Sequence, residues 1–140
     1  MALQVVGDTD IDRLLAVLRR WAGGSTFEQR AVVAGICEPR LLRDPVVAQA
    51  AVALLAEITD GVPVLADRRS EGAIALRKAL GYGWSVVAVA APDAGRRALE
   101  RLAASPDRDV RWIVRENLRK DRLRRLDPAW VAAQVVRVGG

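Results

Sequence analysis

Three times in this chain a capping residue is followed at once by proline: Asp44-Pro45, Ser105-Pro106 and Asp127-Pro128. Asp and Ser side chains accept hydrogen bonds from the free N–H groups of a helix's first turn, and proline is tolerated there because its missing N–H has no partner to lose. Each pair marks a helix start, and an apolar run at helical spacing follows each. Ser25 and Glu28 add a fourth start, the S-x-x-E of a capping box. The predicted fold is all-α, about eight helices joined by short turns. No linker is long enough to divide residues 1–140, so a single domain is expected.

The helices are predicted in order. Asp8, Thr9 or Asp10 caps the first, whose apolar face is Ile11, Leu14, Leu15, Leu18 and Trp21, and Gly23-Gly24 ends it. The capping box opens a second that reaches Glu38, where Pro39 closes it. From Asp44 the stripe Val47, Ala50, Ala51, Leu54, Leu55 and Ile58 predicts a central helix that stops at Asp60-Gly61. A short helix over 64–68 and a clearer one over 70–80 follow, then a break at Gly81 and Gly83. The valines of 84–91 suit a strand by propensity, but no other segment offers a strand partner, so helix is predicted. Residues 94–104 form the next helix through Leu99 and Leu102, and residues 107–122 the one after it. The last begins at Asp127-Pro128, and its Val131, Val135 and Val138 are the expected contact if the chain forms a homodimer.

Composition removes whole classes of chemistry. The chain has no histidine, which excludes Ser-His-Asp and Cys-His catalysis and HExxH zinc sites. Its one cysteine, Cys37, sits in the apolar run AVVAGIC and reads as a small buried hydrophobe. There is no GxxxxGK[ST], no GxGxxG and no spaced acidic cluster. Glu71, Asp93 and Glu116 carry carboxylates that no spacing pairs. A non-catalytic protein with no metal and no cofactor is expected. MALQVVGDTDID lacks the basic and apolar regions of a secretory signal, and no apolar run reaches membrane-span length, so a cytoplasmic protein with no membrane partner is expected.

Charge is uneven. Residues 1–67 hold 6 basic and 9 acidic residues, whereas 68–126 hold 15 basic and 7 acidic. The basic excess peaks in SPDRDVRWIVRENLRKDRLRRLD, residues 105–127. On a helical wheel Val110, Ile113, Val114 and Leu118 form the buried stripe, with Asn117 on it, bonding a neighbouring backbone or helix. Arg108, Arg111, Arg115, Arg119 and Arg122 recur at spacings of three or four and make one basic ridge, with Trp112 and Glu116 at its edge.

The start at Asp44-Pro45 and the one at Asp107 share a pattern: a valine after the acidic cap and a leucine eight residues on, Val47 with Leu55 and Val110 with Leu118. The valines lie 63 residues apart, the length of two helical repeats. An acidic turn followed by Val-Arg, here Asp107, Asp109, Val110 and Arg111, resembles the HEAT-repeat signature, and 76–123 resembles a bacterial family of HEAT-like, armadillo-like proteins of obscure role. The resemblance implies a short α-solenoid of stacked antiparallel helix pairs. It implies that the helix after Asp107 lines the concave side and that Asp107 or Asp109 pairs with Arg111 between repeats. The expected function is binding of a protein partner through Arg108, Arg111, Trp112, Arg115, Arg119 and Arg122. The alternative is DNA or RNA on the same residues, as in the HEAT-like DNA glycosylases that this ridge resembles, although this chain is shorter and no motif places a catalytic carboxylate.

Overall fold

The cap residues do what their chemistry dictates. Ser25 Oγ accepts from the Glu28 N–H at 3.2 Å while Glu28 Oε1 accepts from the Ser25 N–H at 2.9 Å, and α2 (Thr26–Ile36) follows. Asp44 accepts from the Val46 N–H at 2.8 Å and opens α4 (Pro45–Gly61). Before these come α1 (Ala2–Ala22) and α3 (Pro39–Leu42). A 3₁₀ turn (Val62–Val64) extends α4, and then α5 (Glu71–Ala90), α6 (Pro92–Ala103) and α7 (Arg108–Leu118) succeed one another. The chain continues with α8 (Asp121–Leu126) and α9 (Pro128–Val138), the latter capped by Asp127 on the Trp130 N–H at 3.1 Å. The computed structural model describes the backbone of residues 2–139 and the side chains of 10–139, and among these residues there is no strand.

Several boundaries differ from expectation. Asp10 lies inside α1 rather than capping it, and the side chains of Asp8 and Thr9 lie outside the described residues. Pro39 opens α3 instead of closing α2: Glu38 becomes a cap, accepting from the Leu41 N–H at 3.0 Å. The helix expected at 64–68 is only the 3₁₀ turn followed by irregular chain. Pro106 precedes the Asp107 cap and is not in the first turn of α7. The helix expected to run to Arg122 stops at Leu118, because Lys120 takes extended backbone (φ −75°, ψ 129°) and α8 starts afresh.

Gly81 and Gly83 do not break α5. Each glycine costs a helix about 1 kcal/mol relative to alanine, and packing outweighs that here. A Cβ on Gly81 would meet the Trp112 ring at 3.0 Å, and one on Gly83 would meet Val33 at 2.9 Å and the Cys37 sulfur at 3.1 Å. The bare backbone lets α7 and α2 approach α5 from two sides. The segment 84–90 is thus helix, with Ala91 turning out of it and Trp84, Val87 and Ala88 fully buried on it.

The helix expected to be central, α4, shares that role with α5, which packs against α2, α3, α4, α6, α7 and α8. The core runs continuously from Leu15 and Leu18 on α1 through Ile36, Leu55, Ile58, Leu80, Trp84 and Leu99 to Ile113, Leu118 and Leu123. Residues 45–64 have the length and apolar composition that a membrane span needs, but Val47, Ala51 and Leu55 are fully buried inside the protein. Val131 and Val138, two residues of the expected dimer contact, are buried against the chain's own α7 and α8 side. Val135, the third, stays 39 % exposed, and the other outward residues of α9 are Pro128, Ala129, Ala132, Ala133, Val136 and Arg137.

At the α5–α6 crossing one backbone presses on another. A Cβ on Gly95 would lie 2.6 Å from the Ala88 Cα, a backbone atom that cannot swing aside. Gly95→Ala is expected to destabilise the fold by about 2 kcal/mol, against a propensity gain of about 1 kcal/mol. Gly35 on α2 has nothing within 4 Å of such a Cβ, so Gly35→Ala should stabilise by roughly 0.5–1 kcal/mol. Thermal melts of the two variants check the opposite signs.

Candidate partner-binding site

The α7 surface is built from its cap outward. Asp107 accepts from the N–H groups of Asp109 and Val110 at 3.0 and 3.1 Å, which points its second oxygen away from the helix axis. Arg68 meets that oxygen at 2.7 Å and also reaches Asp109 at 3.2 Å. Arg77 of α5 takes the other Asp109 oxygen at 3.2 Å. The acidic residues are therefore paired with Arg68 and Arg77, not with Arg111. Arg111 turns the other way and donates to the Val138 carbonyl at the end of α9, at 3.3 Å.

This arrangement shifts the ionisation of the pair. Burial pushes the Asp107 carboxyl up, but the Val110 N–H, the Arg68 guanidinium and the Asp109 N–H outweigh it and hold the group below its ordinary 3.8. The hydrogen bond to Asp107 in turn holds the Arg68 guanidinium above its ordinary value. Because the folded state binds the Asp107 proton less readily than the unfolded chain, the unfolded state takes up protons first on acidification. The stabilisation is complete above the unfolded value of 3.8 and is lost as pH falls through the lower folded value. Asp107→Asn keeps a capping oxygen and loses the charge facing Arg68, so it is expected to cost up to about 1 kcal/mol near neutral pH. Its deficit against wild type should shrink as pH falls below 3.8, as urea midpoints across that range would register. A deficit of constant width would mean that the carboxylate charge contributes nothing.

Trp112 is half-buried. The Arg77 guanidinium lies over its ring at 4.5 Å, and its edge rests on Gly81. Arg77 thus ties Asp109 and Trp112 to α5 together. Asn117, fully buried, locks the same two helices from below: its Oδ1 accepts from the Ser85 N–H at 2.8 Å, and its Nδ2 donates to the Leu80 carbonyl at 2.9 Å and the Ile113 carbonyl at 2.7 Å.

The outward face of α7 keeps four of the five ridge arginines together. Arg108 is exposed and Arg111 and Arg115 are half-buried, and none of the three meets a carboxylate among the described residues. Arg119 pairs with Glu116 at 3.0 Å while remaining 69 % exposed. Arg115 and Arg119, with Arg124 of α8, rim a notch of about 270 Å³ floored by Leu118, Val131, Val135 and Val138. Arg122 is not part of this ridge. The turn at Lys120 swings it onto α5, where it donates to Ser85 Oγ at 3.1 Å and to the Tyr82 hydroxyl at 3.0 Å.

Sequence reasoning missed Arg68, Arg77, Tyr82 and Arg124, because each meets its partners across helix boundaries and no local spacing announces them. Trp21 remains 40 % exposed near the end of α1, and Trp130 donates to Glu100 at 2.7 Å. Among the described residues no group of His, Cys, Asp and Glu could hold a metal ion. In comparison with known proteins, no family model, no curated protein and no solved structure matches this chain, so any functional reading rests on its own residues.

Proposed function

We propose that the chain is a short α-solenoid of helix pairs, HEAT-like in kind, that binds an acidic segment of a protein partner along α7. Stacking of the pairs α1/α2, α4/α5 and α6/α7 is supported by the order of packing: α1 touches α4, α4 touches α6 and α6 touches α9, while α2 touches α5 and α5 touches α7. Contact of each unit chiefly with its neighbours is the habit of such stacks.

One observation carries the binding reading. The acidic residues of α7 are already neutralised, Asp107 and Asp109 by Arg68 and Arg77 and Glu116 by Arg119. The charge of Arg108, Arg111 and Arg115 is left uncompensated on the outer face. Guanidinium forks bind carboxylates bidentately, and the apolar notch beside Arg115 and Arg119 receives a small aliphatic side chain between the charges. Nucleic-acid phosphates would use the same arginines. Base stacking would compete with Arg77 for the Trp112 ring, which is already committed to Arg77 and Gly81.

Fluorescence anisotropy tests the two partners side by side: a labelled peptide of alternating glutamate and leucine, and labelled duplex and single-stranded DNA, at low and physiological salt. Arg108→Glu/Arg115→Glu leaves the Asp107 clamp intact and is expected to weaken peptide binding by tenfold or more, about 1.4 kcal/mol. DNA binding with a steep salt dependence and no peptide binding would replace this reading with the nucleic-acid one.

A further inference from the structure

Next to its contact with α7, α5 borders a second feature. A groove of about 630 Å³ runs between the α2–α3 junction, α5 and α8. Its walls are Pro39, Leu42, Val86, Val89 and Ala90, with Cys37 at the floor. Arg43 and Arg122 stand at its rim, and no acidic residue lines it. This volume falls in the range of small-molecule sites, which combine a mostly apolar lining with a few polar groups that fix orientation.

Arg122 is held in place by neutral groups. Its guanidinium stacks on the Tyr82 ring at 4.6 Å and donates to the Tyr82 hydroxyl and to Ser85 Oγ. Ser85 Oγ is itself fixed by donating to the Tyr82 carbonyl at 2.8 Å. These contacts use two of the five N–H donors of the guanidinium and none of its charge. Among the described residues no carboxylate pairs with it, in contrast to Arg68, Arg77, Arg96, Arg101, Arg119 and Arg124. Cys37 adds no opposing charge: burial pushes its thiol up to about 12 even though Arg122 pulls it down, and it donates to the Gly83 carbonyl.

We propose that this groove is a binding site for a small aliphatic monocarboxylate, its chain along Leu42, Val86, Val89 and Ala90 and its carboxylate on Arg122 with Arg43. A positive rim over an apolar trough requires both halves of such a ligand. A neutral alcohol would leave the guanidinium unpaired, and a hydrophilic anion would leave the trough wet. The groove shares no lining residue with the notch beside Arg115 and Arg119 on α7.

The chain has one tyrosine and one cysteine, and both line the groove, so Tyr82 ring resonances report on it without ambiguity. The test is a titration of the ¹³C-tyrosine-labelled protein with decanoate, decanol and decyltrimethylammonium below their micelle concentrations. Decanoate is expected to shift the Tyr82 signals saturably, with decanol at least tenfold weaker and the cation without effect. Arg122→Gln, and separately Val89→Glu at an exposed groove position, should each weaken decanoate at least tenfold while circular dichroism shows the helices intact. Equal shifts by decanoate and decanol, or decanoate binding undiminished in both variants, would overturn the proposal. So would the absence of any saturable Tyr82 shift.

Discussion

Trp84→Ala is expected to lower the unfolding free energy by about 4 kcal/mol in urea denaturation followed by helical circular dichroism. Trp84 is the largest fully buried side chain and stands where α5 crosses α4. Its indole N–H donates to the Thr59 hydroxyl at 3.0 Å, and that hydroxyl donates in turn to the Leu55 carbonyl at 2.6 Å. Truncation opens a cavity beside Leu55 and Ile58 and leaves the Thr59 oxygen without its donor in a place water does not reach. Trp84→Phe keeps most of the volume and loses the hydrogen bond, so a smaller loss of about 1–2 kcal/mol is expected. Trp21→Ala, at a 40 % exposed site, serves as the comparison and should cost about half as much, roughly 2 kcal/mol. If Trp84→Ala and Trp21→Ala fell equally, the α4–α5 crossing would not be the keystone that its burial implies.

Asn117→Leu is expected to cost about 3 kcal/mol although leucine is the better helix former and nearly the same size. Two of the three hydrogen bonds of Asn117 join α7 to the backbone of α5 at Leu80 and Ser85, on either side of the two glycines, and the third returns to the Ile113 carbonyl within α7. A leucine there buries the Ser85 N–H and the Leu80 carbonyl without their side-chain partner. Asn117→Asp separates hydrogen bonding from packing: it still accepts from Ser85 but turns a carboxylate oxygen toward the carbonyls of Leu80 and Ile113. It is therefore expected to be at least as damaging as leucine at neutral pH. Urea midpoints for both variants decide this, and a stabilised Asn117→Leu protein would mean that the bridge contributes nothing net. Loosening α7 also moves the arginine ridge it carries, so binding by that face should weaken together with the stability of Asn117 variants.

Much of the α7 surface could be read from residue spacing. Val110, Ile113, Val114, Asn117 and Leu118 share one face because the helix repeats every 3.6 residues, and all five are buried. Arg108, Arg111, Arg115 and Arg119 share the opposite face for the same reason. Arg122 fell outside that face because the wheel assumed a helix that continues, and the extended Lys120 resets the rotation. The partners of Asp107 and Asp109 were illegible: Arg68 and Arg77 lie 41 and 32 residues from Asp109, and any of the chain's many arginines fits the chemistry.

What the sequence by itself determined is local: where helices start, which of their faces are apolar, and which chemistries a chain without histidine cannot perform. Caps and periodicity act over three or four residues, so they survive any arrangement of the helices. The tertiary structure alone decided that Gly81 and Gly83 join a helix rather than end it. Whether a glycine breaks a helix depends on what occupies the space its missing Cβ leaves, and here Trp112, Val33 and Cys37 from two other helices occupy it. The same holds for Arg122 and Tyr82: only the fold brings α8 across α5, and with it an unpaired guanidinium to the rim of an apolar groove.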